Sequence, residues 1–215
     1  MFRKLIQILK KGDLMSQAIE DSYEMFEKGI SLFEKVALNF LGEPLEEDFD
    51  VYASDRELNK MERNIRRKIL EHLAINPKQD IVGALVLTTV IVHIERLGDY
   101  SKNVYELAQK NTLKQGKYFE RSKCITQRLF PICERAIEVY RESLADEAKN
   151  MIIELDKIKK ECEKNIDEII EEKDISVKEG ILYSLFFRYL KRVTAHTMDI
   201  LTSVWQPFHL IDFYK

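Results

Sequence analysis

The chain has 215 residues with 7 Gly and 4 Pro, below average usage of about 7% and 5%, so turns are few and an all-β sandwich, collagen or a low-complexity linker is excluded. Apolar residues at 45% against 33% charged exclude intrinsic disorder, because there is ample material to bury. The 34 basic and 37 acidic residues give a net charge of −3, without the basic excess of a general nucleic-acid binder. Three cysteines, Cys124, Cys133 and Cys162, form no CxxC pair and fit reduced cytosolic thiols better than a disulfide framework or a zinc site.

The opening segment, residues 1–12, is basic and amphipathic. Phe2, Leu5, Ile6 and Leu9 share one face, with Arg3, Lys4, Lys10 and Lys11 around it. It lacks the long apolar core of a signal peptide and suits a membrane surface, a transporter or packing onto the rest of the chain. The first predicted helix is lined by Met15, Ile19, Phe26, Ile30, Phe33, Ala37 and Phe40, at helical spacing. Gly42 and Pro44 end it. After the acidic stretch 43–50, Ser54 or Asp55 is expected to cap a second helix lined by Leu58, Met61, Ile65, Ile69 and Leu73. Asn76–Pro77 breaks that helix, because a residue before proline is pushed out of the α region. The third is expected from about Asp80 to Thr112. Its apolar run Ile81–Ile94 is shorter than the roughly 20 residues of a membrane span, which makes it a buried core helix.

The second half repeats this layout. A fourth helix from Lys117 to Leu144 should be kinked or divided at Pro131. A fifth is lined by Ala148, Met151, Leu155, Ile158, Cys162, Ile166 and Ile169. A break at 173–176 precedes a sixth carrying Leu182, Phe186, Tyr189, Val193, His196 and Ile200, which Pro207 closes. Long helices with short connections pack as antiparallel neighbours. The fold class is all-α: an elongated six-helix bundle of two similar three-helix units, with a first repeat at 13–114, a second at 115–205 and a tail at 206–215. Phosphate-loop, dinucleotide and nucleophile-elbow patterns are absent, as are the ExxH signature of di-iron bundles and HExxH.

One constellation carries chemistry. Glu95 and Asp99 are four apart on the third helix, and Asp55 and Asn59 are four apart on the second, so each pair shares a face. Asn59 with Glu95, and Asp55 with Asp99, are both centred on position 77, the turn between the helices. In an antiparallel hairpin the four side chains then face one another in two layers, ~6 Å apart. Glu62 lies about one turn further along. Such a patch repels itself unless a cation offsets it, and its oxygen ligands suit Mg²⁺, Ca²⁺, Mn²⁺ or iron. Solvated helix surface is the plainer alternative, as is neutralisation by Arg96 or by the basic run Arg63, Arg66, Arg67 and Lys68. His93 reads as a core or rim residue and His196 as a packing or hydrogen-bonding one.

The segments Asp55–Glu62, Pro77 with Asp80, and Glu95-Arg96-Leu97-Gly98-Asp99 with Asn103 resemble the first repeat of the PhoU proteins, regulators of phosphate uptake. Arg188–Arg192 with His196 resembles the matching part of the second repeat. The opening MFRKLIQILKKGDLM is similar to related PhoU-like proteins encoded beside phosphate permeases. The resemblance implies two three-helix bundles and metal clusters bound through E/D-xxx-D motifs, one set per repeat. It places the first metal site on Asp55, Asn59, Glu95 and Asp99, with Glu62 a further ligand, and leaves Fe, Zn, Mn and Mg open. In the second repeat the matching positions hold Ile152, Asp156, Lys191 and Ala195. A salt bridge between Asp156 and Lys191 over an apolar pair would replace the cation there, and no metal is expected. The implied function is non-enzymatic: contacts with an ABC-type transporter ATPase, a permease or a sensor histidine kinase, in the cytoplasm or at the inner face of the membrane, as a single chain or a homodimer, and with no nucleic acid. The alternatives are a metal-free helical adaptor and a metal-dependent phosphohydrolase on the same carboxylates.

Overall fold

The computed structural model describes residues 13–76, 78–111 and 115–213; the amphipathic segment 1–12 lies outside them. Six long helices and no strand occur among the described residues: α1 (Leu14–Phe40), α2 (Val51–Ile75), α3 (Ile81–Ala108), α4 (Lys117–Glu142), α5 (Ala145–Glu171) and α6 (Val177–Thr202), followed by a short 3-10 turn, Phe208–Leu210. Each helix is ~40 Å long at 1.5 Å per residue, which makes the bundle elongated.

Local chemistry sets the ends. The Asp13 carboxylate accepts from the Ser16 amide at 2.7 Å and starts α1, supplying one of the acceptors that a helix N-terminus lacks. Gly42, at φ 102°, follows its C-terminus. The start of α2 differs from the sequence expectation. Asp50, not Ser54 or Asp55, is the cap: its carboxylate accepts from the Ala53 amide at 2.9 Å, and the Ser54 hydroxyl donates back to the Asp50 carbonyl. Asp55 is therefore inside the helix, with its side chain free to face α3. The third helix ends at Ala108, short of Thr112, with the Gln109 amide folding back onto Tyr105 and Leu107. Of the kink or division expected at Pro131, the division does not occur. One helix runs through it, and buried Leu129, Phe130 and Cys133 hold both flanking turns against the core. Ser176 accepts from the Glu179 amide and starts α6.

Within the first half, α1, α2 and α3 pack on one another, and α4, α5 and α6 do the same in the second. The halves join through α1 against α4 and α3 against α6, so α2 and α5 flank a central layer. Aromatic rings fill the α1 seam. Phe40 stacks on Phe186 with centroids 4.1 Å apart, Phe33 meets Phe130, and Tyr23 meets Tyr140 edge-on. Burying such rings stabilises the docking of the two halves, and edge or offset contacts add about 0.5–1.5 kcal/mol each. By length and composition α3 is apolar enough to cross a membrane; here it is a core helix, packed against α1, α2 and α6.

The two halves are related by an approximate two-fold axis. A shift of 96 positions carries Glu95 of α3 to Lys191 of α6. The same shift turns a contact between His93 and His196 into one between Tyr189 and Tyr100. Both contacts are present, with ring centroids 5.2 and 6.1 Å apart.

Candidate metal-binding site

The α2–α3 hairpin brings Asp55, Asn59, Glu95 and Asp99 to one face, and Gly98 permits the close approach. A Cβ on Gly98 would lie 2.9 Å from Leu58 Cδ1 and 3.1 Å from Asp55 Oδ1, too near for any larger residue unless those side chains shift. Asp55 is buried, at 5% exposure. Its backbone carbonyl and its Oδ2 both accept from the Asn59 side-chain amide, at 3.0 and 3.2 Å. Its Oδ1 is buried and has no hydrogen-bond partner. A buried carboxylate oxygen left without a donor is costly, and a bound cation is one way to satisfy it.

A residue absent from the sequence reading sits at the centre. The Lys102 ammonium lies 2.9 Å from Asp55 Oδ2 and 3.1 Å from Asp99 Oδ1. Burial opposes its charge, yet the two carboxylates prevail and hold its pKa above the usual lysine value. The signal was available: Asp99 and Lys102 are at i, i+3, a spacing that pairs charges on one helix face. On the other side of Asp99, Arg96 donates to Oδ2 at 3.1 Å. The basic run on α2 is engaged elsewhere, with Arg66 on Glu62 at 2.7 Å and Lys68 on Asp21 of α1 at 2.7 Å. Glu95 lacks a cation of comparable closeness, since Arg96 Nε is 4.0 Å from it. Burial raises the pKa of its carboxyl, and the charges of Asp99, Glu62 and Asp55 raise it further, against a smaller opposing effect of Arg96. The donor set fits a hard metal ion: three carboxylates and an amide, one carboxylate oxygen unsatisfied and one carboxyl group disfavoured as an anion by burial and by its acidic neighbours.

The corresponding face of α5 and α6 is different. The expected Asp156–Lys191 bridge does not form. Asp156 pairs with Lys159 and Lys160 of its own helix, at 2.9 and 2.6 Å. Burial opposes its charge, but these two ammonium groups hold its pKa below the usual value. Lys191 reaches Glu163 instead. A lysine one turn away on the same helix needs less side-chain ordering to meet Asp156 than one across the hairpin. Ile152 is buried, and Ala195 offers no ligand atom.

Where α3 meets α6, His93 and His196 face each other with Nδ1 atoms 2.9 Å apart. Burial, His93, Arg192 and Arg96 push the His196 pKa down to about 4, so its ring is neutral at pH 7.

Residues 8–108 match the family model described as the PhoU domain. No curated protein sequence gives a match. Among solved structures, the chain is similar to the phosphate transport system regulatory protein PhoU from Streptococcus pneumoniae, with a TM-score of 0.65 and 15% identity over 94% of this chain and 92% of that one. It is also similar to PhoU from Pseudomonas aeruginosa, with a TM-score of 0.61 and 14% identity over 89% of this chain and 91% of that one. Residues 8–108 thus match the PhoU domain, and nearly the whole chain shares the fold of PhoU structures.

Proposed function

We propose that the protein regulates phosphate uptake or phosphate signalling, carries a metal ion on its first repeat, and acts through contacts with other proteins. The observation that carries this reading is that the PhoU-domain match covers α2 and α3, the two helices whose acidic side chains Asp55 and Asp99 meet around Lys102. Asp55, Glu95 and Asp99 would hold the ion, with Asn59 through its amide oxygen and Glu62 at the edge. The ion would neutralise the patch and tie α2 to α3. Iron, zinc, manganese and magnesium all suit parts of this donor set. Lys102 then acts as an internal counter-ion: it neutralises Asp55 and Asp99 when no metal is present and must swing away when one binds.

Exposed apolar side chains support a role in protein contacts. Ile75, Ile81, Val82 and Leu85 lie exposed at the α2–α3 end, and Ile170, Val177, Ile181 and Leu185 at the α5–α6 end. Apolar residues clustered in this way mark interaction surfaces more often than single exposed ones do. The partners in this reading are components of a phosphate transporter, its ATPase or permease, or a sensor histidine kinase, met in the cytoplasm or at the membrane surface. No catalytic step is part of it. Affinity purification of the tagged chain from phosphate-replete cells should recover one of these components, and recovery of none would overturn the partner assignment.

Lys102 also favours a second reading, a metal-free adaptor in which the lysine is the permanent counter-ion. Metal analysis of the purified chain separates the two. A metal equivalent that is present in the unsubstituted chain and lost in Asp99→Asn supports the first, and a metal content that Asp99→Asn leaves unchanged supports the second.

A further inference from the structure

We infer that His93, His196 and Asp199, at the seam between the two halves, form a second metal site of a different class, one that takes Zn²⁺ or a similar first-row ion. His93 Nδ1 and His196 Nδ1 are 2.9 Å apart, and Asp199 Oδ2 is 3.5 Å from the first and 3.7 Å from the second. A circle through three atoms with these separations has a radius of about 2 Å, the length of a Zn–N or Zn–O bond. One ion therefore fits all three donors with small adjustments of the side chains.

The supporting shell is also in place. Metal-bound histidines commonly give their other ring N–H to a carboxylate, which fixes the ligating tautomer. His93 Nε2 lies 3.2 Å from Asp212 Oδ1, so donation there leaves the Nδ1 lone pair free for the ion. Asp212 reaches this position from a turn with φ 74°, a backbone region that few residues other than glycine adopt. The turn is anchored by the Asp212 amide donating to Thr202 Oγ1 at 3.1 Å, while the Thr202 hydroxyl donates to the Asp199 carbonyl at 2.6 Å. Asp199 and Asp212 together balance a divalent charge, with Arg96 and Arg192 acting on His196 from further away. The His93 and His196 side chains are partly exposed, at 14% and 16%, which leaves a path for an ion to buried Asp199.

The site is distinct from the carboxylate patch. His93 precedes Glu95 by two residues, about 200° round the helix. It is also one-sided. The two-fold relation carries His93, His196 and Asp199 to Tyr189, Tyr100 and Asn103, where two phenol rings pack and no imidazole is present. An ion at the seam would link α3, α6 and the C-terminal turn, and so clamp the two halves together.

The test is a Zn²⁺ titration of the full chain, stripped by chelator, against a chromophoric competitor. The variants are Asp99→Asn, the double substitution His93→Gln/His196→Gln, and Asp212→Asn. Asp99→Asn, which disables the carboxylate patch, should keep one zinc per chain and the zinc-induced rise in melting temperature. In that Asp99→Asn background the double His substitution should lose about 100-fold or more in zinc affinity, and Asp212→Asn about 10–100-fold. Asp212 is the most exposed of the four side chains, so its variant reports even where the double one unfolds. Zinc binding that survives the double substitution in folded Asp99→Asn protein, that disappears in Asp99→Asn alone, or that is absent from the unsubstituted chain would overturn the assignment.

Discussion

Replacing Lys102 by Met keeps most of the side chain's apolar stem and removes its charge. In the metal-free protein this takes away the ammonium 2.9 Å from Asp55 Oδ2 and 3.1 Å from Asp99 Oδ1. Asp55 then has one carboxylate oxygen with no partner and the other held only by Asn59. Hydrogen bonds to charged groups contribute about 1.5–3 kcal/mol each, while loss of a fully buried partner costs about 3–5. Lys102 is 28% exposed, so water recovers part of the loss, and about 2 kcal/mol is the expected destabilisation. For a chain of this size that corresponds to roughly 4–8 °C in melting temperature. The sign reverses with metal present. The ammonium competes for the same oxygens, so Lys102→Met should bind a divalent ion more tightly, and saturating metal should recover most of the lost stability. Melting curves in chelator and in excess Mn²⁺, with a metal titration beside them, measure both effects. A variant that is as stable as the parent in chelator, or that binds metal no better than the parent, would refute the idea that Lys102 occupies the place of a cation.

Glu95→Gln tests the repulsion within the patch. The folded-state pKa of Glu95 lies above its ordinary value of 4.5, so the folded state holds its proton more strongly. Stability therefore falls as pH rises from 4.5 through that raised value. At pH 7 and without metal the Gln variant should melt slightly higher, by ~0.2–0.5 kcal/mol per removed like-charge pair. That gain should vanish below the ordinary carboxylate range, and metal affinity should drop. Asp50→Ala removes the cap of α2 and should cost ~1 kcal/mol, read as a lower denaturant midpoint with an unchanged slope. Cys124 is exposed while Cys133 and Cys162 are buried, and burial pushes both buried thiols up to about 12. A thiol reagent at pH 7.5 should modify one cysteine per native chain and all three in denaturant.

The helices were legible because their apolar residues recur at 3 and 4, and the α2–α3 register was legible because both acidic pairs centre on position 77. In the second half it was the resemblance of Arg188–Arg192 to the family motif that marked Ile152, Lys191 and Ala195 as departures. Cap choice was harder to read. Residues 43–50 offer several acidic caps, and only the geometry shows Asp50 bonding Ala53. Charge pairing was harder still, because long side chains choose among partners within reach of each other. Lys191 takes Glu163 rather than Asp156, and Lys102 bridges two carboxylates that lie on different helices. The pairing of His93 with His196 depends on how the two halves dock. No periodicity within a single helix carries that information.

The most direct test is the rate of phosphate uptake in phosphate-replete cells. Cells that lack the chain should fail to restrain uptake. The unsubstituted protein should restore restraint, and Asp55→Asn/Asp99→Asn, produced at the same level, should not. Uptake that is the same with and without the chain would contradict the regulatory role itself, and full restraint by the double variant would contradict the place given to the α2–α3 carboxylates.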